Sequence, residues 1–270
     1  SRVILLSHFH LDVPEGWLLK KIRSFCISRS TVPIYPSAYC KDGHIVARLA
    51  SARQPSLISA KRFPLPKKSE PLSVVNSNIL AAQHMVDEKR GQKLVNIGCF
   101  CGYSELKGLP RLIEIMQSVP LQKTLRERHI MLAIHIFGKP INESSQFILA
   151  CESGLGIHVY EYGCVELCAE IYNRMDVVVV PSWNVNETLG LVALEAIEYC
   201  GRVVVSDNGN LRNLEKYLCV EMSKNSDSDF AIQLIRALGK KKRKERVAEE
   251  GVSLPEAICF AEKVGLSRVN

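Results

Sequence analysis

Two regimes of hydrophobic patterning divide this chain, and they meet near residue 92. Beyond it, short runs that are apolar throughout alternate with longer stretches whose apolar residues recur every three or four positions. Residues 93–98 (KLVNIG), 130–137 (IMLAIHIF), 156–160, 176–180 (DVVVV), 202–206 (RVVVS) and 218–222 read as strands. Residues 108–117 (GLPRLIEIMQ), 142–152, 164–173 and 188–200 read as helices, and 226–239 and 254–264 as terminal helices. Pro110 falls in a first helical turn, where its missing N–H costs nothing, and Gly201 closes the helix at 188–200. Strands apolar on both faces, alternating with helices, belong to a parallel sheet covered on both sides. The expectation is a doubly wound α/β domain.

The first 92 residues are less regular. Residues 3–7 read as a strand, 15–28 as a helix, 51–73 as a loop rich in Pro, Ser and Lys, and 77–90 as a helix reaching a boundary near Gly91. The chain therefore reads as a reduced N-terminal α/β domain over residues 1–91 and a Rossmann-like C-terminal domain over 92–270.

Composition adds little until charge is placed along the chain. Hydrophobic residues make up 47% and charged residues 23% of the 270, as in ordinary globular proteins. No apolar run nears the roughly 20 residues that span a bilayer, and no secretory leader is visible, so a cytoplasmic location is expected. An opening Ser1 suits a processed start or a fragment equally. The net charge of +7 is uneven: residues 1–92 carry 14 Lys and Arg against 6 Asp and Glu, and the remainder 21 against 22. A basic first third attracts an anionic membrane surface, a phosphorylated ligand or a nucleic acid, or simply serves as a solvated face. The run 240–246 (KKKRKER) reads as a solvated helix face. Ten cysteines include two close pairs, Cys99/Cys101 and Cys164/Cys168, neither with the two-residue gap of zinc or dithiol sites. Cys151, Cys200, Cys219 and Cys259 lie among apolar residues and read as buried free thiols.

The chemistry gathers in 187–195 (ETLGLVALE), where two glutamates bracket an uncharged run. Open parallel sheets bind ligands at the carboxyl ends of their strands. There the strand at 176–180 delivers Glu187, and the next helix aims its N-terminal N–H groups and positive dipole at the same crevice. Gly190 lets a ligand approach that backbone. Residues 207–210 (DNGN) and Lys107 follow other strands onto the same rim. Helix N–H groups and Lys107 attract phosphates, and carboxylates accept from vicinal hydroxyls, which suits a sugar nucleotide. The plainer alternative makes Glu195 and Glu198 the solvated edge of a buried helix.

The stretch IYNRMDVVVVPSWNVNETLGLVALEAIEYCGRVVVSDNGN (171–210) resembles the signature of the retaining glycosyltransferases of family 4, which have the GT-B fold. Its marks are a strand ending in Pro-Ser, Glu-x-x-Gly, a second Glu eight positions after the first, and a valine-rich strand. Weaker likeness extends to VNIGCFCGYSELKG (95–108), IHIFGK (134–139) and HVYEYGCVEL (158–167), covering about 93–240 in all. The resemblance implies that Glu187 faces the donor sugar near its reacting carbon and that Glu195 binds the ribose hydroxyls. It further implies that the backbone of Thr188, Leu189, Gly190 and Leu191, with the Lys107 side chain, holds the diphosphate, and that Gly163, Cys164 and Val165 lie by the base. Where the family carries an arginine after the glycine of its first strand, this chain has Cys99. ILLSHFHLD (4–12) resembles the family's strand ending in an active-site histidine, which would set His8 over the sugar. The implied reaction is retaining transfer from a nucleotide-diphosphate sugar co-substrate, with no metal or other cofactor and no dedicated general base. The implied partners are that donor, an acceptor and, through the basic N-terminal region, an anionic membrane met peripherally; no nucleic acid is expected.

Two rival readings stand beside this one. A non-catalytic GT-B-like module would bind nucleotide or another anion without turnover. SHFHLDV (7–13) also resembles the His-x-His-x-Asp-His metal motif of metallo-β-lactamase-type hydrolases, with Val13 in place of the last histidine. A glycosidase would need an acid and a nucleophile flanking the bond, which one strand–loop–helix unit does not supply.

Overall fold

Val177–Val180 shows most directly how this sequence builds its sheet: four consecutive valines, all buried. β-Branched side chains favour the extended backbone, and apolar groups on both faces demand cover on both. The computed structural model describes residues 3–6, 30–35, 57–58, 65–66, 69, 71–86, 91–101, 107–138, 156–182, 187, 190–224 and 226–247. The chain forms two compact units, one of residues 1–63, 186–189 and 248–270, the other of 64–185 and 190–247.

In the first unit, β1 (Val3–Leu6), β2 (Ser30–Tyr35) and β3 (Leu57–Ile58) form a parallel sheet in that order. β1 was expected. β2 was given no assignment; it includes Pro33, which brings no ladder donor, and Leu5 pairs with it in the register. The helix expected at 15–28 lies outside the described residues.

The second unit carries a six-stranded parallel sheet. Its strands are β4 (Lys93–Cys99), β5 (Ile130–Ile136), β6 (Ile157–Glu161), β7 (Val177–Val180), β8 (Val203–Ser206) and β9 (Val220–Ser223), in the order β6-β5-β4-β7-β8-β9. All six were legible as strands. The helices are α1 (Pro71–His84), α2 (Leu109–Gln117), α3 (Val119–Glu127), α4 (Ala169–Arg174), α5 (Leu191–Tyr199) and α6 (Asp227–Gly239). Val95 and Ile97 of β4 pair in register with Leu132 and Ile134 of β5. Together with Val179 of β7, these four share one core with Leu112, Ile115, Leu125 and Phe230 of α2, α3 and α6. Met131 and Ala133, one residue out of phase, pack with Ala82 of α1. Each such buried Leu, Ile or Val contributes ~1.5–3 kcal/mol of transfer free energy. This two-sided cover is the doubly wound α/β arrangement expected.

Several boundaries differ from the sequence reading. The helix expected from 164 begins only at Ala169, after Cys168 in extended backbone. That expected from 188 begins at Leu191, because Gly190 takes the left-handed φ of 69° at its N-cap. α1 starts at Pro71, inside the stretch read as loop, its proline fitting the first turn. α3 was not anticipated; its four-residue spacing of Leu121 and Leu125 buries two leucines only. A 3-10 helix over Gly209–Lys216 replaces the expected open loop after β8. Residues 241–247 are irregular rather than helical. Their backbone is tied down: the Arg243 N–H donates to the Gly201 carbonyl at 2.7 Å, and Lys242 Nζ to the Met175 carbonyl at 2.6 Å. The helices expected at 142–152 and 254–264 lie outside the described residues, as do Cys151 and Cys259. Cys200 and Cys219 are buried free thiols, pushed by burial up to about 11 and about 12 respectively.

Candidate functional site

The sheet reverses its winding between β4 and β7. From β4 the chain proceeds outward to β5 and β6, then returns to β7 on the other side and proceeds to β8 and β9. At such a switch point the loops leaving the two central strands diverge and open a crevice at their carboxyl ends. α2 follows the loop after β4, and α5 the loop after β7.

Both helices begin on a glycine in the left-handed region, Gly108 at φ 78° and Gly190 at φ 69°. Gly108 is also fixed by space: a Cβ there would lie 1.9 Å from the Pro181 carbonyl oxygen. The backbone after β4 therefore rests directly on the backbone after β7. Neither helix has a side-chain cap or an acidic residue in its first turn. In α5 the first intrahelical bond runs from the Leu194 N–H to the Gly190 carbonyl, at 3.1 Å. The N–H groups of Leu191, Val192 and Ala193 precede it and point out of the helix end. Such an end, carrying the positive pole of the helix dipole, suits an anion. Lys107, half-buried, stands immediately before Gly108.

Glu195 is the fifth residue of α5 and is half-buried. Its Oε2 accepts a hydrogen bond from the Tyr172 hydroxyl at 2.7 Å. Tyr172 lies on α4 and is wholly buried, its ring stacked on Phe100 with centroids 4.2 Å apart. From Phe100 the stacking continues to Phe137 at 4.6 Å and from Phe137 to Tyr162 at 4.5 Å. Phe100, Phe137 and Tyr162 are the residues directly following β4, β5 and β6, so this row of rings crosses the carboxyl ends of three neighbouring strands.

Tyr162 leads into Gly163, whose carbonyl accepts from the Gly138 N–H at 2.8 Å. Cys164 beyond it is exposed and Val165 half-buried. Below Tyr162 runs a polar chain. His135 is fully buried, and burial lowers its pKa to about 4, so the ring is neutral and carries one N–H. Asn96 Oδ1, an acceptor, lies 3.1 Å from His135 Nε2, which places the proton there. His135 Nδ1 then accepts from the Tyr162 hydroxyl at 2.8 Å, and that hydroxyl accepts from Asn78 Nδ2 at 3.2 Å. Burial pushes Tyr162 up to about 12, in keeping with a retained donor. His135 is thus a satisfied core histidine that supports this rim.

On the other wing, Arg111 of α2 ion-pairs with Asp227 of α6 and donates to Ser206 Oγ at 3.3 Å. It is 8% exposed and ties α2 to β8 and α6. Lys107, Gly163, Cys164, Val165, Gly190 and Leu191 all stand on segments that follow the carboxyl ends of the strands, with Glu195 further along α5. Glu187 is buried at 8% exposure and groups with the first unit by its contacts. Thr188, Leu189, His8, His10 and Asp12 lie outside the described residues. Among the described residues no three His, Cys, Asp or Glu side chains converge to hold a metal ion. Tyr172 and the ring row escaped the sequence reading. The available signal was that three successive strands are each followed directly by an aromatic residue. Cys99 is wholly buried, with its Sγ 3.2 Å from Cys101 Sγ. A cavity of 1220 Å³ opens instead between the start of α1, the length of α4 and the last turn of α5, lined by Ser73, Glu170, Arg174, Glu198, Tyr199 and Lys244. It lies away from the helix starts that define the switch point.

Known proteins agree with this architecture. The family profile of the group 1 glycosyl transferases matches residues 96–253. Among solved structures, Anabaena HepE in complex with UDP and glucose aligns at a TM-score of 0.64 and 18% identity, over 90% of this chain and 63% of that one. Sucrose-phosphate synthase from Thermosynechococcus elongatus aligns at 0.60 and 14%, over 88% and 58%. WaaG, a glycosyltransferase involved in lipopolysaccharide biosynthesis, aligns at 0.56 and 15%, over 88% and 66%. The chain therefore spans less than two thirds of the length of each. At these identities the likeness establishes a common fold. No curated protein matches the chain's sequence.

Proposed function

The chain belongs to the group 1 glycosyl transferases, and from that premise we propose that it moves a sugar from a nucleotide-diphosphate sugar to an acceptor, with retention at the reacting carbon. The observation that carries this reading is the switch point itself. Two helices start there on glycines without side-chain caps, Lys107 stands beside one start, and Glu195 lies one turn into the other helix. The N–H groups and Lys107 take the diphosphate, Glu195 the ribose hydroxyls, and Gly163, Cys164 and Val165 the base. The complexes of the Anabaena protein with UDP and with UDP-glucose support a nucleoside-diphosphate donor here.

In this reading Glu187 and His8 face the donor sugar, with Thr188 and Leu189 completing the phosphate backbone contacts. The departing phosphate accepts the acceptor's proton on the same face, so catalysis rests on positioning and on electrostatic stabilisation of the leaving diphosphate. No metal is required; activity should persist in EDTA, and loss on chelation restored by zinc would move the assignment to His8, His10 and Asp12. Residues 1–91 supply the acceptor side.

Cys99 favours a second reading. Wholly buried where the family places a phosphate-binding arginine, it gives the diphosphate no cation. A binding module would then remain. A thermal-shift panel of uridine, guanosine and adenosine diphosphate sugars tests the first reading. Ligand at 100 times its Kd raises stability by about 2.7 kcal/mol. No stabilisation by any of them overturns donor binding. Stabilisation without slow release of nucleoside diphosphate selects the binding module.

A further inference from the structure

Glu195 is held from behind. The Tyr172 hydroxyl reaches its Oε2 across 23 residues of sequence, at 2.7 Å, within the range of a charge-assisted O–H···O⁻ bond. Resting on the reading of Glu195 as the ribose ligand, we propose that Tyr172 is a positioning residue that sets the Glu195 carboxylate for the ribose hydroxyls. A carboxylate is free to turn about its last side-chain bond, and a donor fixed on one oxygen sets its plane. Tyr172 is well suited to act as that fixed donor. It has no exposed surface, its ring is stacked on Phe100 with planes 18° apart, and Tyr199 lies tilted against it at 6.5 Å. Burial raises its pKa well above the usual tyrosine value, with the nearby Glu195 charge adding to this, so the hydroxyl keeps its proton.

The ring row extends the argument. Tyr172, Phe100, Phe137 and Tyr162 form one continuous stack. One end of it carries the hydroxyl bonded to Glu195, and the other precedes Gly163. The ribose carboxylate and the loop assigned to the base are therefore held on a single run of packed rings.

Tyr172→Phe keeps the ring and removes only the donor. Affinities of wild type, Tyr172→Phe, Glu195→Ala and the double variant are measured by calorimetry. The ligands are a nucleoside diphosphate that stabilises the protein and its 2′-deoxy and 3′-deoxy analogues. Tyr172→Phe is expected to weaken the ribonucleotide about tenfold, the scale of one charge-assisted hydrogen bond, while leaving the deoxy analogue within about twofold. The ribose preference should collapse in both single variants, and the double variant should bind no worse than Glu195→Ala. If Glu195→Ala removes the preference and Tyr172→Phe retains it, or if the two losses add, Tyr172 is a packing residue and the inference fails alone. If Glu195→Ala keeps the preference, the ribose reading itself falls and the inference falls with it. A cooperative melt in each variant confirms that the rings still pack.

Discussion

Glu187 and Glu195 are the same residue type eight positions apart, and their surroundings differ. Glu195 meets a buried tyrosine hydroxyl, whereas Glu187 is buried and grouped with the first unit. If Glu187 contacts the sugar rather than the nucleotide, Glu187→Ala should cut turnover far more than it weakens nucleoside diphosphate binding. Steady-state kinetics set beside calorimetry decide this, and equal losses would reject the assignment. His135 gives a second residue-scale prediction. Its pKa falls from 6.5 in the unfolded chain to about 4 when buried. Between those values the unfolded state binds a proton that the folded state refuses, so stability declines as pH drops from 6.5 towards 4. The limit of that loss is about 3 kcal/mol. His135→Gln should flatten this part of the stability–pH curve in denaturant titrations; an unchanged slope would exclude the histidine as its source. Glu195 drew notice in the sequence because a carboxylate closing an uncharged run stands out. Tyr172 was not, because IYNR before a strand reads as core, and its partner lies in another helix.

At the scale of elements, strands were easier to read than helix starts. A wholly apolar run announces a buried strand, but where a helix begins depends on backbone that a glycine alone can adopt. Gly190 delayed α5 to Leu191 in this way, and the same device sets α2. The two glycines differ in what surrounds them, which yields a ranked prediction. A Cβ at Gly108 meets the Pro181 carbonyl at 1.9 Å, and backbone cannot step aside. At Gly190 the nearest atom is Leu211 Cδ2 at 2.6 Å, the end of a side chain that can turn. Each alanine variant carries the left-handed strain of about 1–2 kcal/mol, and Gly108→Ala adds a clash. Thermal melts should therefore show Gly108→Ala as the more damaging, and the reverse order would refute this account of the crevice. β2 illustrates the opposite failure of legibility: Pro33 costs its ladder a donor, so local sequence argues against a strand that its neighbours nevertheless form.

At the scale of the molecule, charge and connectivity carry the consequences. Residues 1–92 hold a surplus of eight positive charges beside a near-neutral remainder. Each Lys or Arg near an anionic surface contributes about 1 kcal/mol, screened beyond about 10 Å at moderate salt. If this region meets a membrane, anionic vesicles should bind the protein at low salt and release it as salt rises, while neutral vesicles should not bind. Reversing Lys20, Lys21 and Arg23 should weaken that binding and spare nucleotide affinity. Co-sedimentation that is equal for both vesicle types would leave the charge as solubilising surface. No helix among the described residues is long and apolar enough to cross a membrane.

The strand order has a consequence in time. β4 is central, yet its second neighbour is β7: Ile97 pairs with Val177, and 177 − 97 sets the partners 80 residues apart. At roughly 5–20 residues per second of synthesis, one edge of β4 waits on the order of 4–16 seconds for its cover. During that interval an apolar strand is available to any other chain. Pairings this distant also slow folding, since loop closure precedes the contacts that reward it. Refolding from denaturant should accordingly be slow and yield less native protein as concentration rises. A single fast phase, independent of concentration, would contradict that expectation.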